Sequence, residues 1–212
     1  MDEQEQKDAL LAALLPDIPF DGWTIEGMRA AATRVGMKDA DVSRLFPRGP
    51  REAVRWFSHW ADRLMLETVA AQPIEGMKLS ERVALAVRTR LQLLTPHREA
   101  VRRGLSLLAM PPNAALGLKL LYDTVDAIWY AAGDTSTDFS FYTKRAMLAG
   151  IYGATMLFWL DDRSENAVAT DAFLDRRLAE TMVLPRLRSR IGRITGGFPD
   201  PTRFFRLVRP RL

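Results

Sequence analysis

His59, in FSHW, and His97, in TPHRE, are the two side chains of this sequence best suited to proton transfer or metal ligation near neutral pH. Neither belongs to a Glu-x-x-His or His-x-x-x-His pair, the spacings that put two ligands on one helix face, so no helical metal site is expected. The chain has no cysteine, which removes thiolate catalysis, disulfides and Cys-ligated metals together and fits an intracellular setting. Gly-x-Ser-x-Gly, a phosphate-binding loop and Gly-x-Gly-x-x-Gly are all missing. His59 is expected to pack on a helix face and His97 to begin a helix. The residues predict no catalytic group, no cofactor and no metal.

Binding chemistry is more visible than catalysis. In IWYAAGDTSTDFSFYTKRAMLAGIY, a short polar loop from Gly133 to Asp138 is flanked by Trp129, Tyr130, Phe139, Phe141 and Tyr142, with Lys144 and Arg145 close by. Aromatics beside a tight polar turn and next to cations form either a protein-binding hot spot or a staple between two helices. The following stretch is apolar on nearly every face after Arg145, as in a helix central to a bundle or shared across an oligomer interface. Its Met147, Met156, Phe158 and Trp159 read either as core packing or as walls of an apolar ligand cavity, which methionine suits by repacking readily.

Near the N-terminus, Ala32 and Gly36 are four residues apart, with Val35, Met37, Val42 and Leu45 as apolar anchors, the spacing of a helix-turn-helix. A DNA-reading helix presents donors or cations at its N-terminal end. Here that end carries Lys38, Asp39, Ala40 and Asp41, and the two carboxylates oppose phosphate, so a tri-helical unit without DNA binding is expected.

The elements that position these residues are punctuated by proline, which breaks helix interiors. Between prolines the apolar spacing is helical, with no sustained alternation. Helices are expected near 3–15, 24–35, 39–46, 51–71, 80–94, 97–109, 113–132, 139–160, 165–183 and 185–194. Val54, Phe57, Ala61, Leu64 and Met65 give the fourth a single apolar stripe, and Thr24, Asp39, Ser80, Asn113 and Asp138 stand where N-caps are wanted. The fold class is all-α. Its expected divisions are a helix-turn-helix-like unit over 1–50, a ligand-binding helical domain over 51–184 and a basic tail over 185–212.

With 212 residues, 48% hydrophobic and 26% charged, the chain can bury a sizeable core and is not a disordered one. No run approaches the ~20 apolar residues of a spanning helix. The net charge of +4 is uneven: the tail holds Arg186, Arg188, Arg190, Arg193, Arg203, Arg206, Arg209 and Arg211 against Asp200, which leaves −3 for residues 1–184. Leu184, Leu187, Ile191 and Ile194 form a narrow stripe opposite Arg186, Arg190 and Arg193, and Phe204 and Phe205 follow next to Arg206. This pattern predicts an in-plane anchor on anionic membrane, with apolar side chains in the headgroup boundary and arginines on lipid phosphate.

The segment from Trp129 to Tyr152, above all AGDTSTDF, Tyr142-Thr143, Arg145-Ala146 and LAGIY, resembles the ninth coenzyme Q biosynthesis protein family, as do RTRLQLLTPHREAVRRGLSLLAMPPNAALGLKLL and the GWT at 22–24. The resemblance covers roughly residues 20–180. It implies a TetR-like all-α fold, a homodimer, and a non-catalytic accessory protein of ubiquinone biosynthesis. Such a protein binds a polyprenyl quinone intermediate or phospholipid at the membrane and presents it to the di-iron demethoxyubiquinone hydroxylase. Carried over by residue, it places the partner patch on Ile128, Trp129, Asp138, Phe141, Tyr142 and Arg145. The family often has methionine in place of Ile128 and tryptophan in place of Phe141. It places the lipid pocket on the apolar sides of 101–110 and 147–159, with Leu105, Leu108, Met110, Met147, Ile151, Met156, Phe158 and Trp159 as candidate walls. The acidic start MDEQEQKDALLAALL departs from a mitochondrial presequence, so a cytoplasmic protein peripheral on the inner membrane is expected, binding no nucleic acid. The alternative is a TetR-type transcriptional regulator that senses an apolar ligand.

Overall fold

In the computed structural model, which describes residues 2–134 and 140–180 (the side chains of residues 140 and 141 excepted), the regular structure is helical throughout, with no strand among the described residues. The N-terminal helix α1 (Glu3–Leu14) starts at a reciprocal cap. Asp2 accepts from the Glu5 amide at 2.7 Å, and Glu5 accepts from the Asp2 amide at 2.8 Å. A short α2 (Ile18–Asp21) follows. Thr24 caps α3 (Ile25–Arg34) by accepting from the Gly27 amide at 3.1 Å. The turn into α4 (Asp39–Leu45) passes through Gly36 at φ +73°, a left-handed conformation that a Cβ disfavours.

Two caps lie one or two residues earlier than the spacing predicts. The carboxylate of Asp41 accepts from the Lys38 amide at 3.0 Å, so α4 begins with Asp39 as its first residue rather than as its cap. Likewise Glu81 accepts from the Lys78 amide at 2.8 Å and starts α6 (Leu79–Leu94) ahead of Ser80. In both, an acid at the third helical position reaches back to the cap's amide and fixes the start.

The long α5 (Pro50–Ala70) begins at a proline, which the first helical turn tolerates. A single 3-10 turn joins α6 to α7 (Arg98–Leu108); α8 (Ala114–Ala131), α9 (Ser140–Asp161) and a further helix α10 over 168–180 follow. The helix expected at 185–194, and with it the anchor residues Leu187, Arg190, Ile191, Arg193, Ile194, Phe204, Phe205 and Arg206, lies outside the described residues.

Helix α5 is the axle of the packing, lying against α6, α8, α7 and α1, while α8 and α6 both pack on α9. Its stripe is buried as expected at Val54, Phe57, Ala61 and Met65, while Leu64 is half-buried. The small N-terminal helices share one core with this body through Leu10, Leu14, Met28 and Leu45. Two polar contacts fix their docking. Asp8 accepts from Arg63 through both oxygens, at 2.8 and 2.7 Å, and from the Trp56 indole at 2.8 Å. Trp23 donates to the carbonyl of Ala100 at 3.0 Å in a buried setting. A bidentate carboxylate–guanidinium pair and a satisfied indole orient the unit more sharply than apolar contact alone.

Helix α9 is not enclosed on every face of the single chain, which departs from the bundle-centre expectation and leaves the oligomer-interface alternative standing. Leu148, Ile151, Tyr152, Met156 and Trp159 are buried, but Leu157 is 62% and Phe158 39% exposed. No single helix among the described residues is long and apolar enough to cross a membrane.

Candidate functional site

Five helices, α5 to α9, enclose a cavity of about 530 Å³, inside the ~300–1,000 Å³ range of small-molecule pockets. Its wall is apolar over most of its area: Val54, Phe57, Leu94, Val101, Leu105, Leu108, Leu120, Leu121 and Met156. Glycines make the room. A Cβ on Gly104 would stand 3.5 Å from Val54 and from the Trp23 indole, and one on Gly117 would stand 3.4 Å from Leu108, so α7 fits closely between its neighbours. Gly153, by contrast, faces open space within the cavity wall. Leu118 and Leu157 line the cavity yet are 70% and 62% exposed, so it opens to the surface beside them.

Part of this wall is polar. Arg90 is buried, and its Nε donates to Asp62 at 2.7 Å. Its Nη1 donates to the Tyr152 hydroxyl at 2.6 Å, and its Nη2 donates to the oxygens of Ser58 and Thr124 at 3.2 and 3.3 Å. Thr124 in turn donates to Asp62 at 3.1 Å. Burial works against the charge of Arg90, but Tyr152 and Asp62 outweigh it and hold the guanidinium above its ordinary value. Burial pushes the Tyr152 phenol up to about 12, so it keeps its proton. Ser58 and Tyr152 therefore both accept from Arg90, and neither O–H has an acceptor among the described residues. Both line the cavity. The polar part of the wall thus offers donors, with the charge of Arg90 already compensated by Asp62.

Of the expected wall residues, Leu105, Leu108 and Met156 line this cavity. Met110, Met147, Ile151, Phe158 and Trp159 do not. Met110 is 55% exposed, Ile151 is buried in the core, and Phe158 stacks on Phe173 at 4.7 Å. Met147 lies half-buried on α9, outside the wall. Trp159 is fully buried beneath Arg98, whose guanidinium lies 4.7 Å from the ring centre, and belongs to a second, polar pocket. Arg90, Asp62, Ser58, Thr124 and Tyr152 were not anticipated. The available signal was Arg90 itself, standing three residues after Val87 and four before Leu94 on the buried side of α6.

The two histidines behave as expected. Both have pKa values lowered by burial, and His97 packs edge-on to Phe57 and Trp60. Among the described residues no group of acids and histidines could hold a metal.

The aromatic patch is rearranged by burial. Ile128 is 0% exposed and cannot touch a partner, because it faces the core. Arg145 is 8% exposed and its Nε donates to Asp126 at 2.7 Å, so it supports the surface from behind. Trp129 is half-buried under Lys144, whose ammonium lies 5.6 Å from the ring centre. The outward residues are Tyr142, 70% exposed, and Tyr130, 76% exposed. Asp138 and the side chain of Phe141 lie outside the described residues.

On the helix-turn-helix-like unit, the first turn of α4 carries Asp39 and Asp41. Arg29 pairs with Asp39, and Arg44 bonds to Asp41 and Gln6. Arg29 and Arg44 are thus engaged by the chain's own acceptors.

Removing one partner of the buried pair strands the other's charge. Asp62→Ala is expected to lower unfolding free energy by about 3–5 kcal/mol, whereas Asp62→Leu combined with Arg90→Met recovers most of it; denaturant titration of the three proteins checks this. Asp162 gives a pH signature. Burial opposes its charge, but hydrogen bonds from Ser164 and Thr170 prevail and hold the carboxyl at about 2, below its ordinary 3.8. Its contribution to stability is complete above about pH 3.8 and is lost as pH falls through 2. Melting temperature should drop over that interval, and Asp162→Asn should flatten this part of the profile.

A sequence model of the COQ9 family matches residues 114–185. The chain is 36% identical over 186 residues to the ubiquinone biosynthesis protein COQ9, mitochondrial, of Rattus norvegicus, covering 85% of this chain and 60% of that one. Its identity to the Homo sapiens protein of the same name is 34%, with 85% and 58% covered, and to the Drosophila melanogaster protein 31%, with 89% and 59% covered. The chain thus spans about three fifths of the length of these curated relatives. Among solved structures, a TetR transcriptional regulator from Nitrosomonas europaea superposes with a TM-score of 0.67 over 83% of this chain and 97% of its own, at 23% identity. The chain therefore resembles the COQ9 family in sequence, over most of its own length, and has a TetR-like all-α fold.

Proposed function

We propose that this chain is a non-catalytic, lipid-binding accessory protein of ubiquinone biosynthesis. The observation that carries the reading is the α5–α9 cavity: apolar over most of its wall, open beside Leu118 and Leu157, and lined also by the hydroxyls of Tyr152 and Ser58. A quinone ring bears carbonyl oxygens that only accept hydrogen bonds, and two unengaged O–H donors match it. An apolar tail gains about 0.8 kcal/mol per methylene removed from water, which lowers the cost of leaving a bilayer. The cavity holds a ring and the first part of a chain, with the remainder of a long polyprenyl tail at the mouth. The relatives' names supply the pathway, and those relatives are mitochondrial proteins.

In this reading the protein sits peripherally on the inner membrane, works as a homodimer and offers the bound ring to a di-iron hydroxylase docked around Tyr142 and Tyr130. The acidic first turn of α4 favours it over the DNA-binding alternative, since Asp39 and Asp41 stand where phosphate would have to approach.

Gly153→Phe fills the cavity from a position where a side chain meets open space and replaces a helix-weakening glycine, so the fold should keep or raise its melting temperature. Lipid extraction and mass spectrometry of the purified proteins should find isoprenoid quinone with the wild type and little with the variant. Equal lipid in both would refute the cavity as its site. Tyr142→Ala should weaken capture of the hydroxylase by about thirtyfold, as loss of an anchor of about 2 kcal/mol does, with normal melting. Unchanged capture would remove the patch from the proposal.

A further inference from the structure

A second pocket, of about 590 Å³, lies between α6, the end of α9 and the start of α10. About half of its wall is polar, and its arginines are used differently from Arg90. Arg88 pairs with Asp171 at 3.2 Å and with Asp175. Arg98 bonds no carboxylate. One of its Nη atoms donates to the backbone carbonyl of Asp162, and its guanidinium lies over the Trp159 ring, 4.7 Å from the ring centre. Arg163 is exposed and has no carboxylate or hydrogen-bond partner among the described residues. The carboxylate of Asp162 is already occupied by donors from Ser164 and Thr170, at 2.8 and 2.9 Å. Trp159, fully buried in this wall, has an indole N–H with no acceptor. Asn166 and Ala167, also in the wall, hold left-handed backbone at φ 53° and 58°, a conformation non-glycine residues adopt only at some cost.

We propose that this pocket binds a phosphate-type oxyanion between Arg98 and Arg163. The Asp162 carbonyl and the Trp159 ring hold Arg98 in place and leave its other N–H donors unused, which suits hydrogen bonds to an oxyanion. Arg163 supplies a second, uncompensated charge. The site is independent of the lipid cavity: Arg90, Tyr152 and Ser58 take no part in it.

The shared chemistry is a phosphate group, and two probes separate its sources. Inorganic phosphate, titrated calorimetrically into the full chain, tests a free anion. Phosphatidylcholine vesicles with and without phosphatidic acid test a lipid headgroup. Arg163→Gln removes an exposed, unpaired side chain and leaves folding intact. Arg48→Gln, on an exposed residue of the N-terminal unit, removes the same charge elsewhere. Saturable binding of either probe, weakened about tenfold by Arg163→Gln and by Arg98→Gln but not by Arg48→Gln, supports the site. The probe that binds identifies the source. Equal effects of Arg163→Gln and Arg48→Gln would mean diffuse charge attraction and overturn the proposal, as would the lack of saturable binding by both probes.

Discussion

Four helices meet on the guanidinium of Arg90. Its nitrogens reach Asp62 and Ser58 on α5, Thr124 on α8 and Tyr152 on α9, while its own backbone belongs to α6. An ion pair this deeply buried is a weak source of net stability, because desolvating two charges consumes most of their attraction. What it does fix is relative position: the donors of one planar group are shared among α5, α8 and α9. The cavity exists beside this cluster because the helices are held together there by hydrogen bonds rather than by a filled core. Gly104 and Gly117 leave out side chains where the walls come together, and Gly153 faces open space within the wall.

The N-terminal unit is held to that frame by directional contacts of its own. Asp8 binds Arg63 and Trp56, and Trp23 reaches across to α7. Trp23 also lies 5.5 Å from Phe57, ring centre to ring centre, and Phe57 lines the cavity. The unit therefore serves as one wall's support whether or not α4 ever meets a nucleic acid. A helix-turn-helix shape persists under such a constraint for reasons of packing alone, and fold by itself does not set function.

Proline placement and apolar spacing were enough to locate most helices, because the breaks at Pro16, Pro47, Pro96 and Pro112 coincide with real connections. They failed at α2, where Pro19 sits in the first helical turn and is tolerated there instead of breaking the helix. The cavity was legible on α7, where a polar face opposite Val101, Leu105 and Leu108 fixes the phase. It was not legible on α9. That helix is apolar nearly all round, so periodicity cannot tell Met156, which faces the cavity, from Phe158, which faces Phe173. Ile128 shows the converse limit. A large apolar residue beside exposed tyrosines fits a hot spot by type, and only its burial excludes it.

The two pockets share α6 and α9, and they differ in how much of their arginine charge the protein has already answered. Tyr152 and Trp159 stand seven residues apart on one face of α9, about 10 Å along the axis. At Tyr152, Arg90 is matched by a buried carboxylate and its remaining donors are absorbed by hydroxyls. What faces the cavity is neutral, so an uncharged, acceptor-bearing ligand with apolar bulk is the one that loses least on entry. At Trp159, Arg98 and Arg163 have no carboxylate of their own, and Asp162 is turned toward Ser164 and Thr170 instead. A neutral ligand there would leave two cations unanswered, whereas an oxyanion satisfies charge and donors together. The ligand class proposed for each site thus follows from whether a carboxylate of the chain itself has engaged the guanidinium.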